Sequence, residues 1–445
     1  MKHEPILRTR REFLRSGILG GAMAWTVPSF LAHTFSALHG ESSNRAIQTA
    51  TGVDGTILIV LQMAGGNDGV NTVVPYADDH YHRARPRLAL PEKRILKLND
   101  TLGLHPSLEG LKTLHDAGQL AVVQGVGYPN PNRSHFRSTE IWQTASDADR
   151  AERHGWLGRY FDNACPGADP TVGVSIGRQM PQAFASRQPL GVSLDNPRNY
   201  RFMNDGDSRD GTEDSMEQLF RDFNAPEDVA GGEDAAGGSI DMLAGGTSSE
   251  LSPLDFLERT ALDARVSSDR ILEITRKATN QPAYPATRLA NSLKLVGQLI
   301  GGGLSTRVYY VSQGGYDTHT NQAGAHERLL REMSDAVKAF VADLKAQGNF
   351  ERVLIMTFSE FGRRVAENAN GGTDHGAAAP LFVMGSRIKA GLHGTYPSLN
   401  PEELLRGDLK FSVDFRSVYA GVLEHWLKTP SEPVLGRAFA PLGLV

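Results

Sequence analysis

Cysteine is nearly absent. Cys165 is the only one in 445 residues, so no disulfide can form within the chain, and cysteine usage says nothing about the redox compartment. Neither sign of charge dominates. There are 46 Lys and Arg against 51 Asp and Glu, a formal net charge of −5, which gives no electrostatic basis for binding nucleic acid. Aromatic residues make up only 7% of the chain. An unbroken apolar run of roughly 20 residues, the length a permanent membrane span requires, is also missing. What is abundant is glycine, 47 residues, within a chain that is 40% hydrophobic. That composition suits a loop-rich enzyme more than a helical bundle, and it supplies ample core for a large α/β domain.

The amino terminus reads "RTRREFLRSGILGGAMAWTVPSFLA". The pair Arg10-Arg11, followed by Phe13, Leu14 and Arg15, precedes an apolar stretch broken by Gly, Ser and Pro28. This resembles a bacterial twin-arginine export signal. Residues 1–40 are therefore expected to be a signal segment read by the twin-arginine export machinery, and 41–54 a small, polar linker. The expected location is periplasmic or extracellular.

From residue 55 to 445 we expect a single α/β domain. "TILIVLQM" (56–63) is a continuous β-branched run and reads as a buried strand of a parallel sheet. Residues 105–118 read as a helix closed by Gly118, and 120–126 as a second strand. A helix is expected near Thr139–Gln143. Residues 226–252, rich in Gly, Ala, Ser and acids, read as a flexible insertion. Helical patterns cover 252–275 and 285–302, and 306–315 is a third strand. Leu330, Met333, Val337, Phe340, Val341 and Leu344 repeat at helical spacing, which predicts an amphipathic helix over 324–347. Strands follow within 351–364 and at 380–385, and a late helix at 414–427. The alternation predicts a largely parallel central sheet with helices on both faces.

Polar residues gather where strands end. Asn67, Asp68 and Asn71 follow the first strand; Arg133, Ser134 and His135 the second; Asp317 and His319 the third; Glu360 and Arg363 the fourth. Asp374 and His375 precede the fifth, so on a parallel sheet they would have to arch back over the edge where ligands bind. Acids gathered with imidazoles form an N/O ligand set suited to zinc, with magnesium, manganese or calcium as alternatives. Without a cation, clustered carboxylates would repel one another and be pushed up in pKa. Each residue also has a structural reading. "GGNDG" can be a turn, Ser134 a helix cap, Asp317 a turn cap, Glu360 an ion-pair partner of Arg363 or Arg364, and Asp374-His375 a hydrogen-bonded pair. His135 and His326 are lesser candidates, His326 being read as structural.

The blocks "LQMAGGNDGVNTVVPY", "NRSHFRSTEIWQTA", "GGYDTHTNQAGAH", "FSEFGRR" and "GGTDHGAAAPLFVMG" resemble a bacterial family labelled domain of unknown function 1501. Its members are similar to the alkaline phosphatase and sulfatase superfamily. The resemblance implies an alkaline-phosphatase-like α/β fold and an exported, metal-dependent hydrolase of phosphate or sulfate esters. It implies Ser134 as a metal-activated nucleophile. Asp68, Asp317, His319, Glu360 and His375 would hold one or two ions, with Asp374 binding beside them or orienting His375. Arg133 or Arg363 would clamp a small anionic ester. Two departures stand out. The acidic pair expected after the fourth strand is replaced by Glu360-Phe361, and the maturation motif C/S-x-P-x-R is absent, Cys165 lying in "CPGAD". The alternative is therefore a non-catalytic exported binding or assembly protein on the same fold.

Overall fold

The computed structural model describes residues 55–166, 168–187, 190–195, 270–278, 280 and 282–445. The expected signal segment, linker and 226–252 insertion lie outside these residues, as does most of the helical pattern over 252–275.

Fourteen strands are present among the described residues. They are β1 (Ile57–Met63), β2 (Val73–Val74), β3 (Leu96–Lys97), β4 (Gly103–Leu104), β5 (Leu120–Gly127), β6 (Gly173–Ile176) and β7 (Val192–Leu194). After these come β8 (Val308–Gln313), β9 (Val353–Phe358), β10 (Arg363–Glu367), β11 (Thr373–His375), β12 (Ala379–Met384), β13 (Gly391–His393) and β14 (Val413–Asp414). Nine of them form one sheet in the order β13-β5-β12-β9-β1-β8-β6-β7, with β14 also beside β5. The three shortest early strands, β2, β4 and β3, make a separate small sheet, and β10 and β11 pair with each other.

β1 runs through the middle of the large sheet with all seven residues buried. Its side chains alternate between two cores. Ile57, Ile59, Leu61 and Met63 face the helices Glu109–Asp116, Arg288–Gly301 and Gln322–Ala346. Leu58 and Val60 face the helices His135–Thr144, Trp156–Ala164, Phe415–Gly421 and Ser431–Leu435. A strand apolar on both faces is stable only with cover on both sides, each fully buried aliphatic side chain contributing about 1.5–3 kcal/mol. The central sheet is thus largely parallel and covered on both faces, as the strand–helix alternation predicts.

One reversal decides where the late polar residues go. β1 pairs parallel with β8 and β9, whereas β12 pairs antiparallel with both β5 and β9. The amino end of β12 therefore lies at the carboxyl edge of its neighbours, with Ala379 opposite Val126 near the end of β5. The segment carrying Asp374 and His375 does not arch over the sheet. It is delivered to the edge by strand direction. It also forms a hairpin with the segment after β9, with Arg363 opposite His375.

Candidate metal centre

Two glycine pairs let backbone come close at this edge. Gly66 has φ +74°, and a Cβ there would lie 2.2 Å from the Phe361 ring. Gly372 packs against the chain at His319, where a Cβ would be 2.2 Å from the carbonyl carbon. Serine and asparagine zip the loops together. Ser359 Oγ accepts from Asn67 N and donates to Met63 O, both at 2.8 Å, tying the end of β1 to the end of β9.

Under the edge lies Arg363, whose side chain is wholly buried. Its Nε donates to Gly66 O at 2.6 Å and Nη1 to Thr373 O at 2.8 Å. Nη2 donates to Gly65 O, to Tyr316 O at 3.0 Å and to Asp317 Oδ1 at 2.8 Å. One guanidinium thus fastens three loops and one carboxylate. With its donors so committed and no exposed surface, Arg363 does not clamp an ester directly; it holds Asp317.

Above it, three imidazoles converge on that carboxylate. Asp317 Oδ1 lies 3.0 Å from His319 Nε2, 3.1 Å from His375 Nε2 and 3.5 Å from His135 Nε2. The two Nε2 atoms of His319 and His375 are 2.9 Å apart. Each outer nitrogen has its own anchor. His375 Nδ1 is 2.8 Å from Arg133 O, His135 Nδ1 is 2.9 Å from Glu360 Oε1, and His319 Nδ1 is 3.5 Å from Asp374 Oδ1. Metal-binding histidines are characteristically held this way, with the second ring nitrogen donating outward. Side-chain exposures run from 22% at His375 to 47% at Asp317, so one side of the cluster is open to solvent.

Burial works to raise the Asp317 carboxyl, but hydrogen bonds from Arg363 and His375 and the adjacent positive charge outweigh it and hold the pKa at about 2. Asp374 is also held low, chiefly by the hydrogen bond from Asn368. Asp317 and Asp374 therefore stay ionised.

The donor set fits a divalent cation. His135 Nε2 is a buried atom without a hydrogen-bond partner. His135, Asp317 and His375 each offer an atom within 4.8 Å of the others, and His319 Nε2 adds a fourth donor. Three imidazoles and one carboxylate suit zinc better than magnesium or calcium, which prefer all-oxygen shells.

The expected residues divide. Asp317, His319 and His375 come together. Asp68 does not join them. It is wholly buried, with Oδ2 2.6 Å from Arg85 Nη1 and Oδ1 3.0 Å from Arg85 Nη2. Gln322 also donates to its Oδ2. Burial opposes ionisation there, and the Arg85 guanidinium overcomes it, lowering the pKa. Asp374 faces His319 rather than His375. Glu360 meets the cluster through His135. Arg133 pairs with Asp408, Nε to Oδ2 at 2.9 Å, and its backbone carbonyl holds His375. Ser134 is exposed at the start of the helix His135–Thr144, its side chain making no capping bond, between the residue that anchors His375 and the inward-facing His135. His326 is buried, 3.0 Å from Asn67 Oδ1, and makes no contact with Asp317. The residue given too little weight is His135. Its position after the second strand was the available signal.

The family described as "Protein of unknown function (DUF1501)" matches residues 56–407. The chain belongs to this family. The DUF1501 match contains every residue of the cluster and its anchors. None of the curated proteins matches the chain. Solved structures with similarity include a phosphonate monoester hydrolase from Silicibacter pomeroyi, 8% identical, covering 87% of this chain and 78% of that one at a TM-score of 0.33. A protein in the alkaline phosphatase superfamily from Vibrio parahaemolyticus is 10% identical, with 82% and 74% covered and a TM-score of 0.34. A sulfatase from Pseudoalteromonas sp. is 9% identical, with 84% and 69% covered and a TM-score of 0.31.

Proposed function

We propose that this DUF1501 chain is a divalent-metal-dependent hydrolase of small phosphate or sulfate esters. Zinc is the preferred ion, and the site of action lies beyond the cytoplasm after twin-arginine export. The observation that carries the reading is the convergence of three outward-anchored imidazoles on one ionised carboxylate oxygen. Asp317, His135, His319 and His375 are the residues that would hold the ion. A divalent cation there would supply positive charge that favours an ionised oxygen nucleophile and offsets charge developing on the ester.

The chain's own residues do the rest. Arg363 keeps Asp317 aimed upward. Arg133, fixed to Asp408, holds His375 through its carbonyl and sets the position of the next residue, Ser134. The Ser134 hydroxyl is uncapped and sits at the amino end of a ten-residue helix, where an anionic ester is electrostatically favoured. Its oxygen attacks phosphorus or sulfur, and the leaving alkoxide departs as an alcohol with a proton. Water then cleaves the serine ester, releasing the inorganic anion and restoring the hydroxyl.

The test uses the exported chain, dialysed and reloaded with zinc. We expect near-stoichiometric zinc and hydrolysis of an aryl phosphate or aryl sulfate. Ser134→Ala should keep the zinc and lose at least ~100-fold in rate, while His375→Ala should lose both. A wild-type protein that takes up no zinc overturns the proposal. The pairing of Asp68 with Arg85 favours a second reading, a non-catalytic binding or assembly protein. Stoichiometric zinc with no turnover of either ester would select it.

A further inference from the structure

We infer that Glu360 is a positioning residue of the metal centre and not one of its ligands, acting by fixing His135 with Nε2 turned inward. The inference rests on the metal-centre reading above and assigns a role within it. Glu360 lies two residues beyond β9 with its side chain only 2% exposed. Its Oε1 accepts from Gly65 N at 2.8 Å and sits 2.9 Å from His135 Nδ1, while Oε2 is buried without a hydrogen-bond partner and Glu360 lies outside the group formed by His135, Asp317 and His375.

The backbone amide can only donate, so Oε1 is an acceptor whatever the imidazole does. With Glu360 as a carboxylate, His135 Nδ1 is the donor to Oε1, and in the neutral ring this leaves the lone pair on Nε2. That nitrogen is buried without a hydrogen-bond partner and is 3.5 Å from Asp317 Oδ1. In the neutral ring that lone pair faces a carboxylate oxygen, an arrangement that a cation between them would satisfy.

Rotation of the ring is opposed from the same dipeptide. Phe361, almost wholly buried, packs against His135 at 4.9 Å and against His375 at 4.5 Å between ring centroids. The anchors also differ in kind. His375 is held by a neutral carbonyl and His319 by the exposed Asp374, so Glu360 is the one anchor that brings a buried negative charge to a ring. In a poorly polarisable setting that charge raises the electron-donating power of Nε2. The replacement of the expected acidic pair by Glu360-Phe361 thereby acquires a physical reason. The carboxylate orients the imidazole that completes the donor set, and the phenyl ring packs against two of the imidazoles.

The test titrates cobalt(II) alone into the metal-free full chain and reads affinity and visible absorption. Glu360→Gln keeps an oxygen that can accept from both donors but removes the charge. Glu360→Ala removes the anchor. Outer-sphere partners of metal-bound histidines are typically worth 10- to 100-fold in affinity. We expect a loss of about tenfold for the glutamine variant and about 100-fold for the alanine variant. The absorption bands of the glutamine variant should match wild type because the ligand atoms are unchanged. Metal-free thermal midpoints should stay close to wild type for Glu360→Gln, which guards against misfolding of the alanine variant. In a His135→Ala background, adding Glu360→Gln should cost nothing further. Wild-type affinity in both single variants overturns the inference and leaves the centre standing. Bands that shift as though an oxygen ligand were lost also overturn it, by making Glu360 a ligand. If the wild-type chain binds no cobalt, the centre itself falls.

Discussion

His326 shows how a titratable residue can be used for structure at the edge of this site. It is wholly buried on the helix Gln322–Ala346, with Nε2 3.0 Å from Asn67 Oδ1. Burial drives its pKa down to about 4, Asp68 opposes this, and Arg85 and Arg363 push it lower still. His105, whose ring meets it edge-on, is pushed to about 3, first by burial and then by His326. The folded values lie below the unfolded value of 6.5, so the unfolded chain binds these protons more readily. The stabilisation is fully present above pH 6.5 and is lost progressively as pH falls towards 4 and then 3. For His326 the loss reaches about 3 kcal/mol near pH 4. Urea midpoints of the metal-free protein between pH 7.5 and 4.5 should fall accordingly, and His326→Gln should flatten the slope. A slope unchanged by that substitution would assign the acid sensitivity elsewhere. Residue type and strand-end position placed Asp317 and His319 among the candidates, and the family resemblance added His375 as a ligand, but neither separated them from Asp68, which does not join them. The place of Asp68 was not legible, because its partner Arg85 belongs to a different local pattern and only the fold brings the two charges within 2.6 Å.

At the scale of the element, the loop after β1 and the hairpin after β9 are shaped by glycine. Gly66 combines φ +74° with the Phe361 ring 2.2 Å from where a Cβ would stand. Gly118, at φ +69° after the helix Glu109–Asp116, has nothing within 4 Å. The two positions separate backbone strain from crowding. Gly118→Ala should cost only the left-handed penalty, ~1 kcal/mol. Gly66→Ala should cost ~2–4 kcal/mol, because it must also displace the ring that packs on His135 and His375. Denaturation midpoints report the difference, and equal losses would show that Phe361 yields without cost. Only the Gly66 variant should weaken zinc binding. Most long elements were legible, because burial on both faces leaves an unbroken apolar run and an amphipathic helix leaves a 3.6-residue repeat. The direction of β12 was not, since "PLFVMG" reads the same in a parallel or an antiparallel strand. The β10–β11 hairpin was hidden too, as Arg363–Glu367 carries no two-residue alternation.

For the whole molecule, the centre is a cross-link of parts distant in sequence. His135 follows β5, Asp317 and His319 follow β8, and His375 comes from the hairpin before β12. None of these is a neighbour of another in the unfolded chain, apart from Asp317 and His319, so a cation that uses all four binds the native state and has little purchase on the unfolded one. Linkage then fixes the size of the effect. Free zinc at 1,000 times its dissociation constant stabilises by about 4 kcal/mol. A chain of this size unfolds with a large entropy change, so that energy becomes a rise of roughly 4–8 °C in thermal midpoint. The rise should grow with the logarithm of zinc concentration. Magnesium at the same concentration should give much less, since three of the four donors are nitrogen. His375→Ala separates ligation from packing. Its side chain is only 22% exposed and packs on Phe361, so the metal-free midpoint should fall by the packing lost, while the zinc-dependent rise above that midpoint should largely disappear. If instead the substitution lowers the midpoint equally with and without zinc, then Asp374 and His375 serve the β10–β11 hairpin as packing and hydrogen-bonding residues. The cluster would then be a neutralised acid held by Arg363 rather than a metal centre.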